Sequence, residues 1–118
     1  MTSAILHGDV YICNFGEKED HTIAKKRPVV IIQNNKANMV SSVVIVSPIT
    51  SNERVVQLPV GVKLTPGVTG LDNVSYAHLG QIYTVDKGDL SNKTGSVPAG
   101  EMQRIDEAIK VSLGLEEF

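Results

Sequence analysis

Two uninterrupted runs of β-branched residues, Val29-Val30-Ile31-Ile32 and Val43-Val44-Ile45-Val46, constrain the fold of this chain more than any other feature. Branching at Cβ restricts rotamers in a helix and suits a pleated strand. Neither run alternates apolar with polar residues, so each predicts a strand buried on both faces. The cluster Asn34-Asn35-Lys36-Ala37-Asn38 between them reads as a turn, which predicts that the two runs pair as a central hairpin. Pro48 predicts the end of the second ladder and places Ile49-Thr50-Ser51-Asn52 in a loop.

Around this centre the remaining segments are short. Val10 to Phe15, Arg54 to Leu58, Val74 to Ala77 and Gln81 to Val85 read as further strands, with Asp86-Lys87-Gly88-Asp89 as a turn. Only the C-terminal stretch has a helical period. Met102, Ile105, Ile109 and Leu113 share one face with Ala108, Pro98 stands in the first turn, and Gly114 is placed to cap the end. No repeat or linker interrupts residues 1–118, so a single domain is expected. Many short strands with one terminal helix predict a mainly β fold, a small curved antiparallel sheet or barrel with the helix packed on it.

Composition limits the classes of function. At 118 residues and 42% hydrophobic the chain can bury a core without staples. The single cysteine, Cys13, forbids an internal disulfide and fits a reducing compartment, so a cytoplasmic location is expected. No apolar run approaches the roughly 20 residues of a membrane span, and the first residues lack a signal peptide's pattern. The net charge of −2 argues against nucleic acid only as an average. Residues 21–63 carry a net +5 and residues 1–20 and 99–118 carry −3 each. That middle section either focuses positive potential on one face or blunts an exposed sheet edge.

Five segments in register resemble the MazF/PemK/Kid toxins. They are Gly8-Asp9-Val10-Tyr11, the run from Arg27 to Asn34, Pro48-Ile49-Thr50, the stretch Gln81 to Lys87, and Ile105 to Leu115. The resemblance covers almost the whole chain. It implies an SH3-like curved antiparallel barrel of the MazF/CcdB type, acting as a homodimer that cleaves single-stranded RNA without a metal or other cofactor. It also implies a cognate antitoxin protein as partner, laid over the RNA groove.

The same resemblance selects the site residues. Arg27 matches the family's catalytic arginine, and a guanidinium suits bidentate, charge-neutralising contact with phosphate. Thr50 matches its catalytic threonine and is assigned to orienting the phosphate or the nucleophile by hydrogen bonding. Ser51 and Asn52 add donors in the same segment. Lys25 and Lys26 supply phosphate attraction without sequence reading.

Two positions depart from the family pattern. Asp20-His21-Thr22-Ile23 stands where many relatives carry a Gly-Ser-Glu-Gln-like stretch, so Thr22 occupies the glutamate position and His21 is the substitute acid or base. In the late strand Tyr83 follows Gly80-Gln81-Ile82 where relatives often carry arginine, a change that offers stacking on an unpaired base. His78, in an expected strand, reads as structural, and His7 is assigned no role. Two alternatives stand beside the ribonuclease reading. One is a toxin on the same barrel that binds a protein target such as gyrase; the other is a degenerate member that binds RNA or antitoxin without cutting.

Overall fold

The computed structural model describes residues 4–16 and 26–117. Seven strands form one antiparallel sheet. They are β1 (Asp9–Asn14), β2 (Lys26–Ile31), β3 (Val43–Thr50), β4 (Gly61–Leu64), β5 (Ser75–His78), β6 (Tyr83–Asp86) and β7 (Leu90–Ser96). The order across the sheet is β4-β5-β3-β2-β1-β7, and β6 also pairs with β3. Two helices complete the described residues, α1 (Asn35–Val40) and α2 (Ala99–Ser112), with 3-10 turns at Glu53–Gln57 and Lys87–Asp89.

The two apolar runs lie at the centre as expected. Val29, Val30 and Ile31 are fully buried because their alternate side chains enter different cores. Val30 joins Val10, Ile49, Leu64 and Leu79 under α2, whereas Val29 and Ile31 join Cys13, Val44 and Val46 on the other side. A strand with no polar face is therefore the signature of a layer between two cores.

Several expectations are corrected by longer-range contacts. β2 and β3 do pair, but in the register Val29↔Pro48, Val30↔Ser47 and Ile31↔Val46, so most of the second run lies beyond the first. Its partner there is β6, from Val43↔Asp86 to Val46↔Tyr83. The connection is a helix where a turn was expected. The Asn34 side chain caps it by accepting from the Ala37 N–H at 2.8 Å, and buried Asn38 exchanges hydrogen bonds with Gln33.

Nor does Pro48 end the strand. β3 continues through it to Thr50, pairing Ile49↔Ala77 and Thr50↔Tyr76. Along this edge β3 passes from β6 to β5, and Ser47 and Pro48 fall in the gap between the two ladders. Pro48 is tolerated there because no bond to either strand is required of it.

Arg54 to Leu58 forms the 3-10 turn Glu53–Gln57 instead of a strand. The Asn52 side chain caps that turn, and Val55 anchors it in the interior. Gly61 permits the packing, since a Cβ at that position would lie 1.9 Å from the Val55 carbonyl oxygen. Strands β4 and β7 were not expected from the sequence. β7 reads Leu-Ser-Asn-Lys-Thr-Gly-Ser, with little β preference of its own, and is held by pairing with β1.

Helix α2 follows its period. Met102, Ile105 and Ala108 are buried and Ile109 is packed against them, while Leu113 is 59% exposed because it lies past the last turn. Gly114 accepts the left-handed conformation at φ +78° that ends the helix. Among the described residues no helix is long and apolar enough to cross a membrane.

Candidate active site

Antiparallel register brings the two residues selected by resemblance together. β2 and β3 pair as far as Val29↔Pro48, and Arg27 of β2 and Thr50 of β3 each lie two residues beyond that pair. Period-two alternation then sends both side chains to the same face as that pair. Arg27 and Thr50 accordingly line one cavity of about 330 Å³, with Asn52, Arg54, His78 and Gln81 supplying its other polar groups. Pro48, Val55 and Leu58 complete the wall.

The local hydrogen bonds hold the polar groups in place. Thr50 Oγ1 accepts the Asn52 N–H at 3.2 Å, which leaves its hydroxyl proton to donate. Asn52 Oδ1 accepts the Arg54 N–H at 3.1 Å and so fixes the start of the 3-10 turn that carries Arg54. Opposite them, β5 ends at His78 and the chain turns back at once, with the Gln81 N–H bonded to the His78 carbonyl at 3.1 Å. The Ser47 hydroxyl closes that turn from β3, lying 2.7 Å from the His78 carbonyl oxygen and 2.9 Å from that of Gln81. Burial pushes the His78 imidazole below its ordinary pKa.

The charge balance of the cavity is one-sided. Arg27 and Arg54 are cationic, and no carboxylate is among its described lining residues. Such a site favours an anion, and its amide, hydroxyl and guanidinium donors match phosphate oxygens. The basic middle section is only partly gathered here. Lys36 lies on α1, and Lys63 on β4 lines a separate groove with Arg104 and Glu107. Among the described residues no group of three or more His, Cys, Asp or Glu side chains is assembled as a metal ion would require.

The other expected residues divide. Asn52 lines the cavity. Lys26 and Ser51 are exposed beside its elements but are not in its wall. Tyr83 lies on β6 and packs edge-on against Phe15, with ring centroids 5.4 Å apart, among the core residues on the side away from α2. His21 and Lys25, with Thr22, lie outside the described residues. Three polar wall residues were not assigned a role from sequence. Arg54 was visible as part of the basic section and Gln81 as part of a family-like segment. His78, read as structural, had no local signal, because its place depends on the pairing of β3 with β5.

Comparison with known proteins decides the family. The model of the PemK-like, MazF-like toxin of type II toxin–antitoxin systems matches residues 6–113. The chain belongs to this toxin family. A relative named Endoribonuclease MazF, from Staphylococcus epidermidis, is 36% identical over 114 residues, spanning 97% of this chain and 95% of its own. Among solved structures, an endoribonuclease in complex with its cognate antitoxin from a mycobacterial species superposes with a TM-score of 0.81. It is 28% identical and is matched over 96% of this chain and 98% of its own. MazF from Deinococcus radiodurans, at 17% identity, shares the fold with a TM-score of 0.79 over 96% and 99% of the two chains. The toxin fold, a mainly antiparallel sheet with a C-terminal helix, is thus the one expected from the sequence.

Proposed function

We propose that this member of the MazF-like toxins is an endoribonuclease that cuts single-stranded RNA without a metal ion, in the cytoplasm, and is neutralised by a cognate antitoxin. One observation carries the reading: Arg27 and Thr50 line one cavity whose charged described residues are both arginines. The relative named as an endoribonuclease and the neighbour solved with its antitoxin support it. A homodimer is the assembly that the family resemblance implies.

The chemistry that suits these residues is internal transesterification. The RNA 2′-oxygen attacks phosphorus, the bond to the 5′-oxygen breaks, and a 2′,3′-cyclic phosphate remains. The 2′-hydroxyl loses its proton and the 5′-oxygen gains one. Arg27 binds the non-bridging oxygens as charge accumulates on them, and Thr50 orients the phosphate or the nucleophile by donating its hydroxyl. Arg54, Asn52 and Gln81 hold the flanking phosphate and sugar, and Lys25 and Lys26 add salt-dependent attraction along the strand. His21 is assigned the proton transfer.

Incubation of the purified protein with a long RNA in EDTA tests this reading. Fragments ending in cyclic phosphate or 3′-phosphate are expected, and their loss in Arg27→Ala. Intact RNA that is still bound replaces the reading with a non-cutting binder. Intact RNA with inhibited gyrase replaces it with the protein-directed toxin. For His21, the rate profile of His21→Ala between roughly pH 5.5 and 7.5 is expected to lose an inflection; an unchanged profile removes His21 from the mechanism.

A further inference from the structure

The turn that follows β5 fixes the orientation of its own imidazole. His78 Nδ1 lies 3.2 Å from the Gly80 backbone nitrogen. A backbone N–H only donates, so Nδ1 accepts and carries no proton. In the neutral ring the proton is therefore on Nε2. Two further features shape the turn around the ring. The Ser47 hydroxyl sits against the carbonyl oxygens of His78 and Gln81. At Gly80 the absence of a side chain leaves the ring its room, for a Cβ there would lie 2.8 Å from His78 Cε1.

We propose that His78 contacts the RNA substrate as a neutral hydrogen-bond donor, giving Nε2–H to a non-bridging oxygen of the phosphodiester held by Arg27. The proposal rests on the endoribonuclease reading and adds a residue to it. His78 transfers no proton; it stabilises charge that develops on the phosphate, beside a guanidinium that does the same. Protonation would put a second N–H at Nδ1, facing the Gly80 N–H.

The surrounding charges act in the same sense. Arg27 of β2 and Arg54 of the 3-10 turn share the cavity with the ring, and both disfavour an imidazolium. Lys63 of β4 faces the separate groove, Glu53 is exposed at the start of the 3-10 turn, and β3 carries no charged residue. Burial also lowers the imidazole pKa.

The test combines a spectrum with kinetics. In two-bond proton–nitrogen NMR spectra of the free wild-type protein, His78 is expected as the Nε2–H tautomer from neutral pH upward. Against a long RNA, His78→Ala is expected to lose about 10²-fold in kcat with little change in KM, the usual effect of removing one such donor. His78→Gln, whose amide also donates, is expected to recover to within about tenfold of wild type. Circular dichroism melts confirm that each variant is folded. An Nδ1–H tautomer overturns the proposal. So does a His78→Ala enzyme as fast as wild type when Arg27→Ala is inactive, a result that leaves the ribonuclease reading standing. Equal inactivity of His78→Gln and His78→Ala, with a wild-type rate that follows imidazole ionisation, overturns it in favour of acid–base catalysis. A wild-type protein that cuts no RNA removes both readings.

Discussion

Ser47 Oγ lies 2.7 Å from the carbonyl oxygen of His78, and the same hydroxyl lies 2.9 Å from that of Gln81. Ser47 is fully buried on β3, in the gap between the β6 and β5 ladders. One side chain thus replaces the strand-to-strand bonds missing at that gap and ties the turn of His78 to the strand that carries Thr50. Removing the hydroxyl takes a donor from the Gln81 carbonyl, while that of His78 keeps the Gln81 N–H, at a cost of about 1–3 kcal/mol. Ser47→Ala is expected to lower the unfolding free energy measured by urea denaturation by that amount and to reduce RNA cleavage more than RNA binding. Wild-type stability in this variant would show that water serves the carbonyls equally well.

In the proposed reaction Arg27 acts through shape as well as charge. Beside Thr50 in the same cavity, a planar fork can meet two phosphate oxygens at once, which an ammonium cannot do. Arg27→Lys is therefore expected to retain RNA binding at low salt and to lose at least about 10²-fold in kcat. Arg27→Ala is expected to lose both. Single-turnover cleavage beside filter binding separates the two effects, and a fully active lysine variant would reduce Arg27 to a point charge.

How far the sequence alone reaches is best judged along β3. Val43 to Val46 declares a doubly buried strand through its branched side chains, and that reading holds because the two cores lie on either side. Two residues later the local rule fails. Proline ordinarily stops a ladder, yet Pro48 lies where the neighbouring strands change and the chain runs on to Thr50. The same limit hides β7, whose polar residues form a strand only because β1 is beside them. It also hides His78, which reaches the cavity through pairing with a strand about 30 positions earlier. Arg27 and Thr50 were readable from the family resemblance, but their meeting in one cavity was not.

Cys13 gives a prediction about alkaline pH. It is fully buried on β1, and burial, reinforced by Asp89, pushes its thiol up to about 11 from 9.0. Well below pH 9 the thiol is protonated in both folded and unfolded chains and contributes nothing to the pH dependence. Between the two values the unfolded chain releases its proton first, so stability falls as pH rises and the loss levels off above the folded value. Urea titrations from pH 8.5 to 10.5 are expected to show this slope in wild type and a shallower one in Cys13→Ala. At pH 8 the folded protein is expected to resist iodoacetamide, and rapid labelling without unfolding would show that the thiol is reachable.

The last turn of α2 separates period from packing. Ile105 and Leu113 share one helical face by sequence, but Ile105 is fully buried against Val10, Val30 and Leu64, whereas Leu113 is 59% exposed. Truncating a buried isoleucine removes its transfer free energy and leaves a cavity, together costing about 2–5 kcal/mol. Ile105→Ala is expected to lose stability in that range. Leu113→Ser, on a residue already in water, is expected to stay within about 0.5 kcal/mol of wild type. Urea denaturation at low protein concentration measures both. A large loss at Leu113 that grows weaker on further dilution would instead place this end of α2 in a contact between two copies of the chain.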